Sequence, residues 1–516
     1  MAADGGPKLA KSLSLWQVVG VSVALMAPSM AANINPQGSV GTVGRAVPLT
    51  FVIALVGVLF IAYVFARLTQ RFHHSGSVYG FVGATLGPRA GVIALTYVDN
   101  AGITRVKAIP VEGLDSALRT GIGMSSVFDA VLFNDEITQS RYSGGPMGDL
   151  RLFLDLDSLA LIPPMPGWAF GAVDRFDQLL DPHPNCSRGF LRRQLARLAE
   201  RDVTVKMGFE IEWAISKATD GDFVPATDGS AYGLTRIVDV ADYARRLLVN
   251  LRSAGLLVEQ FHPEYAPGQF EVSLPALAPL AAVDKLLLAK TIIRATGRAF
   301  GFSTSFAPVA EANGVGNGGH VHMSATQDNL PIFGGGDGPG GLTKTGATTI
   351  ATLLDWLPGL LAIGAPSPAS YLRLVPSHWA GAFQCWGIEN REAALRLVAE
   401  SKLVSASNAN LEIKCFDQSA NPYLVAGALL VGLYASLDGG PPLPEPVASD
   451  PAGIAEAVRL PQSLDESLAK LWTLTPLLDA MGPELTEAFV AVRKAELAHF
   501  AAASPEQIVA ETRWVY

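Results

Sequence analysis

The sequence is poor in charge and in cysteine. Charged residues make up 16% of the 516 residues and the mean hydropathy is positive, whereas globular proteins carry about 25% charged residues. This deficit indicates membrane-inserted segments beside a globular body. Three widely spaced cysteines without a Cys-x-x-Cys pair exclude a zinc–cysteine site or a disulfide framework and fit a reducing compartment. The net charge of −9 argues against general nucleic-acid binding.

Two stretches near the N-terminus lack charge altogether. No charged residue lies between Lys11 and Arg45, and residues 46–66 form an uncharged apolar run. Each stretch can cross a hydrocarbon core of about 30 Å, so we predict membrane spans at about 13–34 and 46–66. A cleaved signal peptide is the alternative for the first stretch. Basic residues precede the first stretch and follow the second, which predicts that both ends lie in the cytoplasm. A wholly cytoplasmic chain is the alternative.

Broken apolar patterns mark the first 91 residues. The first predicted span contains ALMAPSMAANI, and HHSGSVYGFVGATLGPRAG follows at 73–91; proline and small residues in mid-membrane are typical of the broken helices of transporters. These motifs are similar to the start of an amino-acid permease of the amino acid–polyamine–organocation superfamily. Such permeases have many more than two spans, so we interpret residues 1–91 as a truncated permease start fused to another protein.

Three later segments predict local structure. From Val92, the runs IALTYV and ITRVKAIPV flank the turn DNAG, which predicts a β-hairpin. The segment 422–437, PYLVAGALLVGLYASL, is apolar but too short to span a membrane, so it predicts a buried helix. The segment 188–201, RGFLRRQLARLAER, predicts an amphipathic helix with a solvated basic face.

The run MGFEIEWAI, residues 207–215, carries two glutamates at alternate positions. On a strand, successive side chains point to opposite faces, so Glu210 and Glu212 share one face and the apolar residues between them share the other. Paired carboxylates suit a hard divalent cation, which prefers oxygen ligands. The alternative is the solvated face of an ordinary amphipathic strand.

Further carboxylates and histidines stand in apolar surroundings. A buried carboxylate without a partner is costly, and a bound metal would neutralise several of them at once. Taken singly, the histidines are typical of a satisfied core pair and the glutamates of a solvated strand. They occur in EQFHPEYAPGQFEV (Glu259, Glu264, Glu271), in NGVGNGGHVHMS (His320, His322) and in NLEIKCFDQSANPYL (Glu412).

These motifs, in this order over residues 92–516, resemble the bacterial type of glutamine synthetase, and within that family the γ-glutamyl-amine ligases. The resemblance implies an α+β fold: a β-grasp domain at 92–185 and a catalytic domain with an antiparallel sheet and helices at 186–516. It also implies ATP as co-substrate, Mg²⁺ or Mn²⁺, and a ring oligomer, commonly a dodecamer, in which neighbouring subunits share each active site.

The resemblance implies roles for individual residues. Arg391 and Arg396 would contact the transferred phosphate, although a helix-surface ion pair with Glu389 or Glu392 is the alternative. One metal site would use Glu212, Glu264 and Glu271. The second would use Glu210, His320 and Glu412. Glu259 and Ser324 match nucleotide-contacting positions, Gly316 a glutamate-binding backbone position, and Arg373 the arginine that binds the substrate α-carboxylate.

The chain departs from this pattern where ammonium-using members carry acidic residues. Trp379, in RLVPSHWAG, and Gly123, in GIGMSSVFD, replace two carboxylates that would hold a small cation. Lys414 replaces a glutamate-binding arginine, which keeps the charge but loses the planar fork. We therefore predict an ATP-dependent ligase that joins the γ-carboxylate of glutamate to an organic amine. Ordinary glutamine synthetase and an inactive fusion product are the alternatives, and Trp379 has a purely structural alternative.

Overall fold

The computed structural model describes residues 90–146, 148–218 and 221–516. Both predicted spans, and nearly all of the permease-like segment, lie outside these residues. Among the described residues one helix, Lys344–Gly364, is long and apolar enough to cross a membrane, but 78% of its apolar window is buried inside the fold. That helix therefore packs in the protein core.

A six-stranded sheet is formed by the first part of the described chain. Its order is β2-β1-β6-β4-β3, with β5 beside β6. β1 pairs antiparallel with β2, which confirms the predicted hairpin, and parallel with β6. Helix α1, Leu114–Thr120, contributes buried side chains to the core of this sheet. The strands are β1 Ala90–Val98, β2 Thr104–Pro110, β3 Ile122–Ser125, β4 Asp149–Leu154, β5 Ala160–Leu161 and β6 Gly167–Phe176.

A second sheet, of nine strands, positions the acidic motifs. Its order is β13-β14-β15-β11-β7-β9-β8, with β10 beside β7 and β12 beside β11. All pairs are antiparallel except β13 with β14. The strands are β7 Val203–Ser216, β8 Gln260–Pro263, β9 Gln269–Ser273, β10 Ser303–Ser305, β11 Val321–Gln327, β12 Leu330–Pro331, β13 Phe383–Ile388, β14 Ala393–Val398 and β15 Asn410–Ile413.

Helices cover the core face of the second sheet. The apolar helix predicted at 422–437 is confirmed as a buried helix. The Asn421 side chain caps its N-terminus, because it accepts hydrogen bonds from two backbone N–H groups that have no partner within the helix. The helices are α2 Ser187–Ala199, α3 Leu234–Asp239, α4 Ala241–Ser253, α5 Pro279–Ala299, α6 Lys344–Gly364, α7 Ser370–Arg373, α8 Pro422–Ser436, α9 Leu464–Leu471, α10 Thr475–Met481, α11 Pro483–His499 and α12 Pro505–Thr512.

The basic face predicted for α2 is not wholly solvated. Arg188 is only 2% exposed, and its guanidinium lies 2.8 Å from Asp155, 3.0 Å from Asp174 and 2.7 Å from Asp284. These aspartates lie just after β4, on β6 and on α5. The prediction was wrong for Arg188, because a guanidinium can be buried when carboxylates satisfy its donors.

Candidate active site

One cavity of about 1010 Å³ lies at the acidic face of the second sheet. Three predicted site residues do not line it. Glu412 is buried on β15, Ser324 lies farther along β11, and Gly123 lies on β3 of the first sheet. The predicted residues that line the cavity are Glu210, Glu212, Glu259, Glu264, Glu271, Gly316, His320, Arg373, Trp379, Arg391, Arg396 and Lys414.

Strand β7 brings two acidic side chains into this cavity. The alternation predicted from the sequence is observed: Phe209, Ile211 and Trp213 are at most 4% exposed in the core, and Glu210 and Glu212 face the cavity. β7 lies between β11 and β9. Its register therefore places histidine on one side of the acidic pair and further carboxylates on the other.

Glu210, His320 and Glu412 form one compact group. His320 Nδ1 lies 2.8 Å from Glu210 Oε2 and 3.5 Å from Glu412 Oε1. One potential ligand atom from each residue lies within 4.8 Å of the others. The group is created by the antiparallel pairing of β11 with both β7 and β15.

Glu212, Glu264 and Glu271 are divided between two groups that share Glu271. One group joins Glu212 and Glu271 with His320, and the other joins Glu264 and Glu271 with His262. Glu212 and Glu271 are direct cross-strand partners on β7 and β9. Glu264 directly follows the edge strand β8, and its Oε1 instead lies 2.9 Å from Nε2 of His262 on that strand.

The charges of this cluster fit a divalent cation. Burial, and then the negative charges of Glu210, Glu212 and Glu264, raise the pKa of Glu271 to about 10. Burial also raises the pKa of Glu212. Burial opposes ionisation of Glu210 as well, but its close contacts with His320 and His322 hold its pKa well below the usual range. Carboxylate oxygens suit Mg²⁺, and a mixed carboxylate–imidazole set also suits Mn²⁺.

Arg373 lines the cavity and has an unused donor. Its side chain is buried, and Nη2 donates a hydrogen bond to the Lys414 carbonyl at 3.1 Å. Nη1 is buried and has no partner among the described residues. Since an unpaired buried donor is costly, this nitrogen is suited to a substrate carboxylate. A Cβ on Gly316 would lie 2.3 Å from the Pro308 carbonyl oxygen and 2.6 Å from Arg373 Cγ, so only glycine fits beside the arginine.

Two more arginines and a lysine line the cavity. Arg396 lies on β14 opposite Glu412, with Nη1 3.1 Å from Glu412 Oε2. It also forms an ion pair with Glu389; the alternative interpretation predicted this pair but placed it on a helix, which was wrong. Arg391 is exposed in the turn before β14. Lys414 is buried, and its Nζ lies 3.2 Å from Glu412 Oε1.

Trp379 stands at the mouth of the cavity. It is 46% exposed in the loop before β13, and its backbone N–H donates a hydrogen bond to Glu392 Oε1 at 2.8 Å. Its ring centroid lies 6.3 Å from that of Tyr265. His378 also lines the cavity beside it.

The cavity includes polar residues that were not predicted from the sequence, among them Tyr232, His262 and Gln269. Gln269 Nε2 donates hydrogen bonds to Glu212 Oε2 and to the Gly316 carbonyl, both at 2.9 Å. The Tyr232 hydroxyl donates to Glu264 Oε1 at 2.6 Å, and its ring stacks on His262. Gln269 and His262 stand two positions before predicted ligands, so alternation would have found them. Tyr232 belongs to a distant loop and gives no such signal.

Comparisons with known proteins agree with this geometry. Residues 184–511 match the family model of the glutamine synthetase catalytic domain. The gamma-glutamylpolyamine synthetase of Streptomyces coelicolor is 44% identical over 444 residues, which cover 84% of this chain and 95% of that protein. The glutamate–methylamine ligase of Methyloversatilis universalis is 28% identical over 418 residues, 77% of this chain and 90% of that protein. A crystal structure described as a novel glutamine synthase homolog superposes with a TM-score of 0.75 at 28% identity and covers 83% of this chain and 99% of its own. The chain belongs to the glutamine synthetase family.

Proposed function

We propose that this chain is an ATP-dependent ligase that joins the γ-carboxylate of glutamate to an organic amine, with a polyamine as the first candidate. The observation that carries the proposal is the single cavity in which five carboxylates, three arginines and a lysine converge. Carboxylates that can hold divalent cations, facing guanidinium groups that can hold phosphate and carboxylate, suit phosphoryl transfer to a carboxylate.

The reaction has two steps. An oxygen of the glutamate γ-carboxylate attacks the γ-phosphorus of ATP, the bond to the ADP oxygen breaks, and γ-glutamyl phosphate forms. The amine nitrogen then attacks the acyl carbon, inorganic phosphate leaves, and the amine gives up a proton as the amide forms. Bound divalent cations supply charge neutralisation and orientation of the phosphate and carboxylate oxygens.

Residues of this chain would position the reactants. Arg373, with its unpaired Nη1, would bind the α-carboxylate of glutamate beside Gly316. Arg391 and Arg396 would stabilise the charge on the transferred phosphoryl group. Glu259 and Ser324 are proposed nucleotide contacts. The metal sets proposed are Glu212, Glu264 and Glu271, and Glu210, His320 and Glu412.

The choice of amine is proposed from the cavity mouth. Trp379 offers an indole face where a carboxylate would attract ammonium, and aromatic faces bind larger alkylammonium groups through cation–π and apolar contact. The names of the relatives from Streptomyces and Methyloversatilis refer to a polyamine and to methylamine, which supports an organic amine. Gly123 would act from a neighbouring subunit of a ring, where it would leave room for a long substrate.

The test of the proposed function is an amine panel. The full chain is incubated with ATP, Mg²⁺ and glutamate, and phosphate release is measured with ammonium, methylamine, ethanolamine, putrescine and spermine. We expect kcat/KM for a polyamine to exceed that for ammonium by at least about tenfold. Release with ammonium alone would contradict the proposal and would make Trp379 a structural residue. Chromatography of the product and mass spectrometry would identify the amide.

We propose a domain boundary between residues 185 and 186. We also propose that residues 1–91 tether the ligase to a membrane, with the catalytic body in the cytoplasm. The support is the uncharged stretches at 13–34 and 46–66. Fractionation of cells that express the full chain is expected to place it in the membrane pellet, and a chain that starts at Val92 in the supernatant. Recovery of the full chain in the supernatant without detergent would refute the tether.

A further inference from the structure

The loop that carries Trp379 has an unusual backbone. Ser377, Trp379 and Gly381 have positive φ angles of 59°, 54° and 68°. A non-glycine residue held in this left-handed region is strained, because its Cβ comes close to the backbone. Surrounding contacts must therefore hold the loop in this conformation.

Two side-chain contacts tie this loop to the body. The Ser377 hydroxyl donates a hydrogen bond to Asp450 Oδ2 at 3.0 Å, in an exposed position. The Trp379 backbone N–H donates to Glu392 Oε1 at 2.8 Å. Glu392 is only 7% exposed. Its other carboxylate oxygen is buried without a partner among the described residues, so burying this side chain is costly and needs a compensating role.

The tied backbone places an indole beside a second aromatic ring. The rings of Trp379 and Tyr265 lie 6.3 Å apart at an angle of 70°, both side chains line the cavity, and they are 46% and 56% exposed. The Tyr265 backbone N–H donates to Glu264 Oε2 at 3.0 Å, so the backbone that carries this ring is hydrogen-bonded to a predicted metal ligand. The two rings form an aromatic pair, Tyr265 and Trp379, at the cavity mouth.

We infer that Glu392 is a positioning residue for amine selectivity, because it fixes the backbone of Trp379 and so completes the aromatic pair that receives the cationic tail of a polyamine. This inference rests on the proposed function. A polyamine carries a second ammonium several carbons from its reacting nitrogen, and the exposed faces of the pair suit that remote charge. Ammonium and methylamine carry no such second charge.

The test compares three replacements of Glu392 in the full chain. Glu392→Gln keeps an acceptor oxygen at the same reach, Glu392→Asp keeps the charge but withdraws the oxygen, and Glu392→Ala removes both. We expect the Asp and Ala variants to raise KM for spermine about tenfold, the equivalent of about 1.4 kcal/mol. Their KM values for ATP and glutamate are expected to stay within about twofold of wild type, and Glu392→Gln is expected to resemble wild type in all three. If the Ala variant fails to fold, the Asp and Gln pair decides.

A double-mutant cycle shows whether Glu392 acts through Trp379. Trp379→Ala alone is expected to raise KM for spermine, and adding Glu392→Ala in that background is expected to change it no further. Full additivity, or an equal change in KM for all three substrates, would show that Glu392 acts on the fold or on its neighbour Arg391, and would overturn the inference. Spermine turnover by wild type with unchanged selectivity in the Asp and Ala variants would overturn the inference alone. Turnover of other organic amines but not of spermine by wild type would also overturn the inference alone. Turnover of ammonium but of no organic amine would overturn the proposed function with it.

Discussion

Glu212→Gln is expected to lower ligase turnover by at least about 10³-fold. Glu212 lies at the centre of the acidic cluster, where its Oε2 accepts hydrogen bonds from the Gly318 N–H at 2.8 Å and from Gln269 Nε2 at 2.9 Å. Its Oε1 lies 3.7 Å from His320 Nε2. Glutamine keeps the shape of the side chain but removes the negative charge that a divalent cation needs. If its amide NH₂ replaced Oε2, two donors would face each other, because Gln269 Nε2 donates to that oxygen.

Two measurements separate metal binding from folding. Calorimetric titration with Mn²⁺ is expected to show weaker binding by Glu212→Gln, and phosphate release measures its turnover. Glu200→Gln, at the C-terminal end of α2 and exposed, serves as the matched control and is expected to bind and turn over as wild type does. Turnover by Glu212→Gln within about tenfold of wild type would contradict the assignment of Glu212 as a metal ligand.

Arg396→Ala is expected to lower kcat by about 10³-fold while KM for the amine changes little. Arg396 lines the cavity from β14 and contacts Glu412 and Glu389. In the reaction its guanidinium would stabilise the charge on the transferred phosphoryl group, a contact that forms in the transition state. Arg396→Lys keeps one charge without the planar fork and is expected to recover part of the loss.

The ion pair with Glu389 supplies the control for Arg396. If Arg396 acts on the phosphoryl group, Glu389→Gln is expected to lower kcat by less than about tenfold, because exposed ion pairs contribute little. If Arg396 only stabilises the β13–β14 turn through Glu389, the two variants will lose activity equally. Steady-state kinetics of both variants, with thermal melting to confirm folding, decide between these roles.

Strand alternation in the sequence determined much of the site. The period of two in residues 207–215 places Glu210 and Glu212 on one face and the core residues on the other, and the structure shows this arrangement. The β-hairpin after Val92 and the buried helix at 422–437 follow from equally local patterns and are also observed. Such patterns are visible in a sequence because each depends on residues a few positions apart.

Tertiary structure decided which of these faces meet. Alternation tells which side a residue points to but not which strand lies beside it, so the sharing of Glu271 between two groups depended on the register of β7, β8 and β9. The burial of Arg188 required aspartates from three distant segments. The hydrogen bond from the Trp379 backbone N–H to Glu392 likewise connects a loop and a turn that only the fold brings together. These contacts arise because packing brings together groups that no local period relates.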